Sequence, residues 1–244
     1  MLKNVQLIFL LAESALELVP SSLTRHPQIL HAAKLLRKNP ENMLLDSTYH
    51  YKAILESNLK FKHKRGRPDI IHRALLLIRD SLLSKYGLVD IYVHTIEDKI
   101  IVLCRDIRLP RNYIRFIGLM EKLFKDRVIM SNETSRKKKI LMKIVKMSVN
   151  DFVKNINPSY ILAFSRKGDL TPQLKDLLKN ILDDLRTKAN TVRILNIIGG
   201  FPHGHFSHNI YAMADKIVSL SKESLSTQYV ICRIISAYEE ILLS

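Results

Sequence analysis

Several short segments of the chain are almost continuously apolar and rich in β-branched residues. Runs of this kind are typical of strands that are covered on both faces, as in a parallel sheet. The predicted strands are Val5–Ala12, Val89–Thr95, Ile100–Leu103, Tyr160–Phe164 and Val192–Ile198.

Apolar residues that recur every three or four positions lie between these runs and predict amphipathic helices. In the last of them, Val230, Ile234, Tyr238 and Ile241 fall roughly on one stripe, which indicates a side that faces the core. Strands and helices therefore alternate, and this pattern predicts an α/β fold with a mostly parallel sheet. The predicted helices cover about Pro27–Arg37, Pro68–Lys85, Asn112–Lys125, Pro172–Lys188 and Leu225–Leu242.

One stretch departs from this alternation. Val89–Thr95 and Ile100–Leu103 are joined through Ile96-Glu97-Asp98, which predicts a β-hairpin rather than a crossover. We expect the hairpin to be an excursion from the main sheet. The chain contains no repeat and no linker long enough to separate independent domains, so we expect residues 1–244 to form one domain with a middle insertion.

The charge balance points to a polyanionic partner. The chain has 39 Lys and Arg residues against 23 Asp and Glu residues, a formal net charge of +16. Such an excess favours nucleic acid or an anionic membrane, because each neutralised phosphate releases condensed counterions. The N-terminal run is too short for a membrane span and is followed by Glu13 and Glu17. Cys104 and Cys232 are far apart and lack metal-binding spacing, so we expect a soluble protein of the reducing cytoplasm.

The basic segment, residues 60–67, has five Lys or Arg residues in eight positions and leads directly into Pro68 and Asp69. A helix is predicted to begin there, because proline favours the first helical position and an acid in the first turn suits the helix dipole. On these residues alone, a solvated loop whose Asp69 only caps the helix is an equally good interpretation.

A second cationic group, Arg108, Arg111 and Arg115, lies at the start of a predicted helix. Arg111 and Arg115 are four positions apart and therefore share a helix face. Each cation at a helix N-terminus costs ~0.3 to 1 kcal/mol, so the arrangement favours an anion among these side chains. Arginine pairs with phosphate and stacks on unpaired bases, which makes RNA a candidate ligand. Pairing with acids elsewhere in the fold is the structural alternative.

Three of the chain's seven glycines, Gly199, Gly200 and Gly204, lie within six residues directly after a predicted strand. Glycine allows a ligand to approach the backbone closely, so this segment is either a simple turn or a small-molecule loop. Its spacing matches neither a P-loop nor the dinucleotide-binding fingerprint.

The sequence gives little support for metal or nucleophilic chemistry. His203, His205 and His208 have no second ligand group with recognisable spacing, and we expect no metal. No serine elbow, activated-cysteine signature or helical His-Glu-x-x-His motif is present. The residues by themselves predict a basic, RNA-binding α/β protein with a ligand loop.

Four motifs give the chain a resemblance to the Nep (also called Emg) ribosome-biogenesis proteins, pseudouridine methyltransferases of the knotted SPOUT class. Their order and spacing agree with that family, and the short ends are similar to its archaeal members. Ser81-Leu82-Leu83-Ser84 departs from the Ser-Pro-Leu-Asn type of turn usual in the family. The motifs are Arg67–His72, Tyr92–Thr95, Arg108–Arg111 with Arg115–Met120, and Ile198–Gly204.

The resemblance implies a SPOUT-like homodimer in which residues of about 158–244 form a deep trefoil knot around S-adenosylmethionine. It also implies a family-specific insertion at about residues 60–110 that contains the hairpin. Three loops hold the cofactor in folds of this class. The implied cofactor-binding residues are Ser165, Gly199, Gly204, Ile217, Val218, Ser219, Leu220, Ser221 and Lys222.

The family's RNA-contacting positions fall on Arg67, Arg108, Arg111 and Arg115, with Asp69 implied to hold an arginine in place. The implied reaction methylates nitrogen 1 of a pseudouridine in a small-subunit rRNA hairpin loop. Asp69 and Arg108 are the candidate catalytic residues. We favour Asp69 as an orienter, because an arginine neighbour lowers the basicity of a carboxylate.

Two other functions stay open at this point. The first is a non-catalytic RNA-binding factor in ribosome assembly, with ribosomal or assembly proteins as partners. The second is a knotted methyltransferase for another RNA nucleoside.

Overall fold

Eight strands form one sheet in the part of the protein that the structure, a computed structural model, describes: residues 4–131 and 138–243. The strands are β1 (Val5–Ser14), β2 (Val89–Thr95), β3 (Ile100–Leu103), β4 (Val128–Met130), β5 (Ile140–Val145), β6 (Tyr160–Leu170), β7 (Val192–Gly199) and β8 (Lys216–Ser219). Their order across the sheet is β4-β5-β3-β2-β1-β7-β6-β8.

Five neighbouring strands are parallel, in the sheet order β2-β1-β7-β6-β8. β1 pairs in parallel with β2 on one side and with β7 on the other, and β6 pairs in parallel with β7 and β8. β3, β5 and β4 extend the sheet with antiparallel pairing. The predicted α/β class with a mostly parallel sheet is confirmed.

Helices surround this sheet. None of those described in residues 4–131 and 138–243 is long and apolar enough to cross a membrane. The helices are α1 (Pro27–Leu36), α2 (Ser47–Glu56), α3 (Pro68–Asp80), α4 (Leu82–Lys85), α5 (Tyr113–Asp126), α6 (Val149–Ile156), α7 (Leu174–Lys188), α8 (His208–Ala212) and α9 (Thr227–Leu242).

Both faces of the sheet are buried, as β1 illustrates. Leu7 and Phe9 of β1 belong to the larger hydrophobic core, which includes residues of α3, α5, α7 and α9. Ile8 and Leu10 point the other way, into a second core that includes residues of α6 and α8. The run from Leu7 to Ala12 is continuously apolar because successive side chains enter two different cores.

The hairpin of β2 and β3 is not the excursion from the main sheet that we expected. β2 is hydrogen-bonded in parallel to β1, and β3 begins the antiparallel part of the same sheet. The hairpin pairing itself is confirmed, with His94 opposite Ile100. Val93 and Ile101 are buried in the core, so the hairpin belongs to the central layer.

The predicted helix Pro68–Lys85 is interrupted at Ser81. This residue ends α3 with an extended ψ of 154°, and its hydroxyl accepts a hydrogen bond from the Ser84 N–H, which starts α4. The turn between α3 and α4 therefore forms with Leu82 at the position of the family's proline. The other four predicted helices are confirmed, whereas α2, α6 and α8 were missed.

Candidate functional site

The carboxyl ends of β6, β7 and β8 meet at one edge of the sheet, and a cavity opens there, which we call the glycine cavity. The loops after these strands converge because the strands are parallel. The start of α9 joins them, since the Thr227 hydroxyl donates to the Gly199 carbonyl at 2.8 Å. The cavity is lined by Phe164, Ser165, Arg166, Ile198, Gly199, Phe201, Pro202, His203, Gly204, His205, Phe206, Val218, Ser219, Leu220, Ser221, Glu223, Ser224, Leu225, Thr227 and Val230.

The loop after β7, residues 200–207, which we call the glycine loop, follows a course that requires glycine at two positions. A Cβ on Gly200 would lie 2.2 Å from Oγ of Ser14 and 3.0 Å from its Cα, so the loop packs tightly on the end of β1. Gly204 has a φ of +103°, which other L residues rarely adopt, and a Cβ there would lie 2.8 Å from Nε2 of His63. The glycines therefore fix the shape of the cavity wall.

A break in β6 brings Ser165 to the cavity. Phe164 and Asp169 both pair with Val218 of β8, so residues 165–168 bulge out of the strand between them. The Ser165 hydroxyl is hydrogen-bonded to the Tyr211 hydroxyl at 2.8 Å. The sequence predicted a strand that ends at Phe164, which is where regular pairing with β8 breaks.

Charged groups of both signs line the glycine cavity. Arg166 provides a guanidinium and Glu223 a carboxylate. Loss of solvent around the ring, together with the nearby Lys167 and Arg166 charges, lowers the pKa of His205, so its imidazole is neutral at pH 7. In the described part of the chain, no three His, Cys, Asp or Glu residues are grouped in a way that could hold a metal ion.

Lys64, within the basic segment, is buried against the glycine loop. Its ammonium group pairs with Glu13 at 2.6 Å, donates to the carbonyl oxygen of His205 and lies 4.5 Å from the centroid of the Phe201 ring. Glu13 also accepts from the Ser207 N–H at 2.9 Å. This part of the basic segment is therefore packed structure, and the solvated-loop interpretation is wrong for it.

The end of the basic segment places Arg67 in a second cavity, which we call the Arg67 cavity. Nε and Nη2 of Arg67 donate to the two oxygens of Asp69 at 2.7 and 2.9 Å, and Arg73 lies 3.9 Å from the same carboxylate. Burial raises the pKa of Asp69, but Arg67 and Arg73 outweigh burial and hold that pKa below its usual value. Asp69 is thus ionised at neutral pH. The cavity is lined by Ser47, Thr48, Tyr51, Arg67, Asp69, His72, Arg73 and Tyr113.

Arg108 and Arg111 line a third cavity, which we call the Arg108 cavity. Arg111 pairs with Asp80 at 3.1 Å, although its side chain is 78% exposed. Arg108 and Arg115 are also exposed, and neither side chain has a hydrogen bond or ion pair with the residues that the structure describes. Of Arg108, Arg111 and Arg115, only Arg111 is therefore paired with an acid within the fold.

The structure brings most of the predicted cofactor residues to one cavity but places the predicted RNA-binding arginines in different places. Seven of the nine predicted cofactor residues line the glycine cavity, and the two that do not are Ile217 and Lys222. Asp69 shares a cavity with Arg67, whereas Arg108 shares one with Arg111. The two candidate catalytic residues therefore lie in different cavities of one chain.

The sequence interpretation missed Tyr51 and Tyr113 of the Arg67 cavity. A signal for the first was available, because Asp46-Ser47-Thr48 is a typical start of a helix. Asp46 accepts from the Thr48 N–H at 2.9 Å and thereby caps α2. It also accepts from the Tyr113 hydroxyl at 2.6 Å, so the starts of α2 and α5 are tied together beside Arg67.

A mostly parallel sheet, with a glycine-lined cavity at the ends of three adjacent strands, defines an α/β protein with a small-molecule site. The separate arginine-lined cavities add a surface suited to a polyanion. The chain belongs to the EMG1/NEP1 methyltransferase family, whose model matches residues 9–239.

The similarity extends over nearly the whole chain. The ribosomal RNA small subunit methyltransferase Nep1 of Saccharolobus solfataricus is 40% identical, over 98% of this chain and 99% of that protein. The Nep1 protein of Pyrococcus furiosus is 36% identical, over 98% of both chains. The crystal structure of Archaeoglobus fulgidus Nep1 bound to S-adenosylhomocysteine superposes with a TM-score of 0.79 at 36% identity, covering 99% of this chain and 100% of that one.

Proposed function

We propose that this protein is an S-adenosylmethionine-dependent methyltransferase that modifies small-subunit rRNA in ribosome biogenesis. The observation that carries the proposal is the glycine cavity, in a chain whose structural relative was solved with S-adenosylhomocysteine bound. S-adenosylhomocysteine is what remains of the cofactor after it has given up its methyl group. The net charge of +16 and the exposed arginines support a polyanionic substrate.

The residues of the glycine cavity suit this cofactor. Apolar side chains such as Phe201 and Leu225 offer packing surface for the adenine ring. Arg166 and Glu223 carry charges opposite to those of the cofactor's carboxylate and ammonium groups. The positive φ of Gly204 sets the course of the backbone that forms part of the cavity wall. When bound, the cofactor supplies an electrophilic methyl group on a positively charged sulfur.

Nitrogen 1 of a pseudouridine in a hairpin loop is our proposal for the methylated atom. This nitrogen must lose a proton for the attack, so positioning and stabilisation of the anionic base are the main tasks of the protein. Arg108 suits the second task, because its guanidinium is exposed and unpaired in the described chain. Arg67, Arg111 and Arg115 would mainly seat the RNA loop.

Asp69 is proposed to orient Arg67 rather than to accept the proton. Both of its oxygens already accept hydrogen bonds from Arg67. The lowered pKa of Asp69 also makes it a weak base at neutral pH.

We also propose that residues of about 158–244 form a trefoil knot within one methyltransferase domain, with about 60–110 as the family-specific part. The chain leaves β7, crosses β6 to form β8, and returns in α9, which packs on α7 and β7. This route of the chain supports the proposed knot.

A homodimer completes the proposal, because the glycine cavity and the Arg108 cavity share no residue within one chain. Gly204→Ala and Arg108→Ala, assayed at limiting cofactor so that each alone transfers little methyl group, test for a site shared between subunits. Mixed after partial unfolding and reassembly, they regain methyl transfer if the cofactor and the arginines come from different subunits. An inactive mixture means that each subunit works alone.

Calorimetry with S-adenosylmethionine and transfer of a labelled methyl group to purified ribosomal RNAs and tRNAs test the function itself. We expect binding, and labelling of small-subunit rRNA alone. A folded protein that does not bind the cofactor would remove the enzymatic proposal. Cofactor binding with labelling of tRNA only would indicate another nucleoside, and RNA binding without any labelling would indicate an assembly factor.

A further inference from the structure

We propose that the Arg67 cavity binds an unpaired nucleobase of the RNA loop, stacked on Tyr51, and that this base is a neighbour of the methylated one. The inference rests on the proposed function, because it takes a single-stranded RNA loop as the substrate. Tyr51 belongs to α2, an element that carries none of the residues predicted to contact RNA.

Tyr51 is a large aromatic side chain left open at a cavity wall. Its side chain is 64% exposed, and it lines a cavity of about 560 Å³ beside Arg67. Within residues 4–131 and 138–243, Tyr51 has no side-chain hydrogen bond and no ring contact. An unpaired base that stacks on this ring would remove its exposed face from water, which is how single-stranded RNA is commonly held.

Hydrogen bonds hold other parts of the cavity wall in place. The Tyr113 hydroxyl donates to Asp46 at 2.6 Å, and Asp46 is only 6% exposed. The Ser47 N–H donates to the Gly66 carbonyl at 2.8 Å, which ties the start of α2 to the basic segment. A base that enters the cavity therefore meets a preformed wall, and little ordering of the protein opposes its binding.

The polar groups of the cavity favour a base over a phosphate. Arg67 uses Nε and Nη2 on Asp69, so its charge is largely neutralised by the carboxylate. Asp69, which lines the cavity, is an acceptor and would repel a phosphate. A nucleobase offers N–H donors that an acceptor can bind, whereas a phosphate diester offers none. Arg73 is 67% exposed at the rim and is placed for the neighbouring backbone phosphate.

The base in this cavity is distinct from the base that reacts. The reacting base has to reach the methyl group in the glycine cavity, and the two cavities share no lining residue. The basic segment connects them, with Lys64 against the glycine loop and Arg67 three positions later. A loop that spans the two cavities would be positioned by one base while another reacts.

Binding of a fluorescent small-subunit rRNA hairpin, measured over a series of salt concentrations, tests the proposal. Tyr51→Leu should weaken binding by between about 5-fold and about 150-fold, the range for loss of one base–aromatic stack. Tyr51→Phe should bind like the wild type, because it keeps the ring. The salt dependence should not change in either variant, since no charge is lost. Tyr86→Leu is the matched control, because Tyr86 is 62% exposed and lines none of the three cavities.

A set of hairpins with single abasic positions in the loop identifies the base. One abasic position, other than the methylated one, should weaken binding to the wild type and have no further effect on Tyr51→Leu. The proposal is overturned if Tyr51→Leu binds within twofold of the wild type, if Tyr86→Leu loses as much, or if the coupled position is the methylated base. Methyl transfer by the wild type to the intact hairpin, measured in parallel, reports separately on the proposed function.

Discussion

The glycine cavity and the arginine-lined cavities are built from different kinds of parts. The first is shaped by backbone at the ends of buried strands, where Gly200 and Gly204 leave no place for a side chain. The others present long cations, of which Arg108 is exposed and has no partner in the described chain. The proposed cofactor site should therefore be damaged by added atoms, and the proposed RNA surface by removed charges.

The basic segment joins these two regions. His63 and Lys64 contact the glycine loop, and Arg67 lies three positions beyond Lys64 in the next cavity. We expect substitutions near Lys64 to affect cofactor binding and substitutions at Arg67 to affect RNA binding. Variants at the two ends can therefore test whether the regions are independent.

The largest effect is expected for Gly204→Ala. A non-glycine residue in a left-handed conformation costs ~1 to 3 kcal/mol, and the added Cβ also meets His63. Calorimetry should show S-adenosylmethionine affinity reduced by between about 5-fold and 150-fold, with RNA affinity unchanged. Gly118→Ala is the control, because Gly118 lies on α5 with open space around its Cα. An equal loss of RNA binding would mean that the two regions are not independent.

Arg111→Ala should have the opposite signature. Loss of one charge-assisted hydrogen bond to RNA corresponds to about a tenfold weaker affinity, and the slope of affinity against salt should flatten by roughly one unit. Cofactor affinity should stay the same. Arg186→Ala on α7 removes a cation that lines none of the three cavities, and it should leave RNA binding intact. Loss of both RNA and cofactor binding by Arg111→Ala would instead indicate damage to the fold.

A smaller effect is expected for Asp69→Asn, which weakens the hold on Arg67. Exposed ion pairs contribute ~0.2 to 1 kcal/mol, so RNA affinity should fall by no more than about 5-fold. If Asp69 is an orienter, the rate of methyl transfer falls but keeps its pH profile. A pH profile that loses its basic group would show that Asp69 accepts the proton.

Asp69 also affects stability with a defined sign. The pKa of Asp69 is lower in the folded protein than its usual value of 3.8. The ionised carboxylate therefore stabilises the folded protein above pH 3.8, and this contribution is lost as the pH falls through the pKa of the folded protein. The free energy of unfolding, measured at a series of acidic pH values, should show this loss in the wild type and not in Asp69→Asn.

A final effect, on stability rather than on binding, concerns Glu17, which pairs with Arg65 of the basic segment and is 1% exposed. Burial outweighs the charge of Arg65 and raises the pKa of Glu17 from 4.5 to about 7. Folding therefore takes up a proton between these values, and the stability gained below pH 4.5 is lost as the pH rises through 7. The slope is at most ~1.4 kcal/mol per pH unit. Chemical unfolding from pH 5 to 8 should show it, and Glu17→Gln should abolish it.

The sequence was most informative where a single local pattern decides the structure. The long buried strands and the helix started by Pro68 follow from such patterns. The strands β4, β5 and β8 were missed, because they are short and, in β5, Lys143 interrupts the apolar run. The hairpin was placed outside the main sheet because pairing with β1 depends on contacts distant in sequence, which periodicity does not contain.

In the candidate site, too, features set by a local pattern were predictable and features set by contacts distant in sequence were not. The glycine loop follows directly after a strand, and parallel strands make its neighbours predictable once their order is known. The partner of Asp69 could not be read from spacing, since Arg67, Arg73 and three other arginines were all possible. Tyr51 became a candidate only when folding placed α2 beside Arg67.

The most direct test of the account is methyl transfer to two otherwise identical rRNA hairpins, one with pseudouridine and one with uridine at the target position. In uridine, nitrogen 1 carries the ribose and has no proton to lose. The account predicts methylation of the pseudouridine hairpin alone, with the methyl group on nitrogen 1 in mass spectra of the digested nucleosides. Equal methylation of both hairpins, or a methyl group on any other atom, would contradict it.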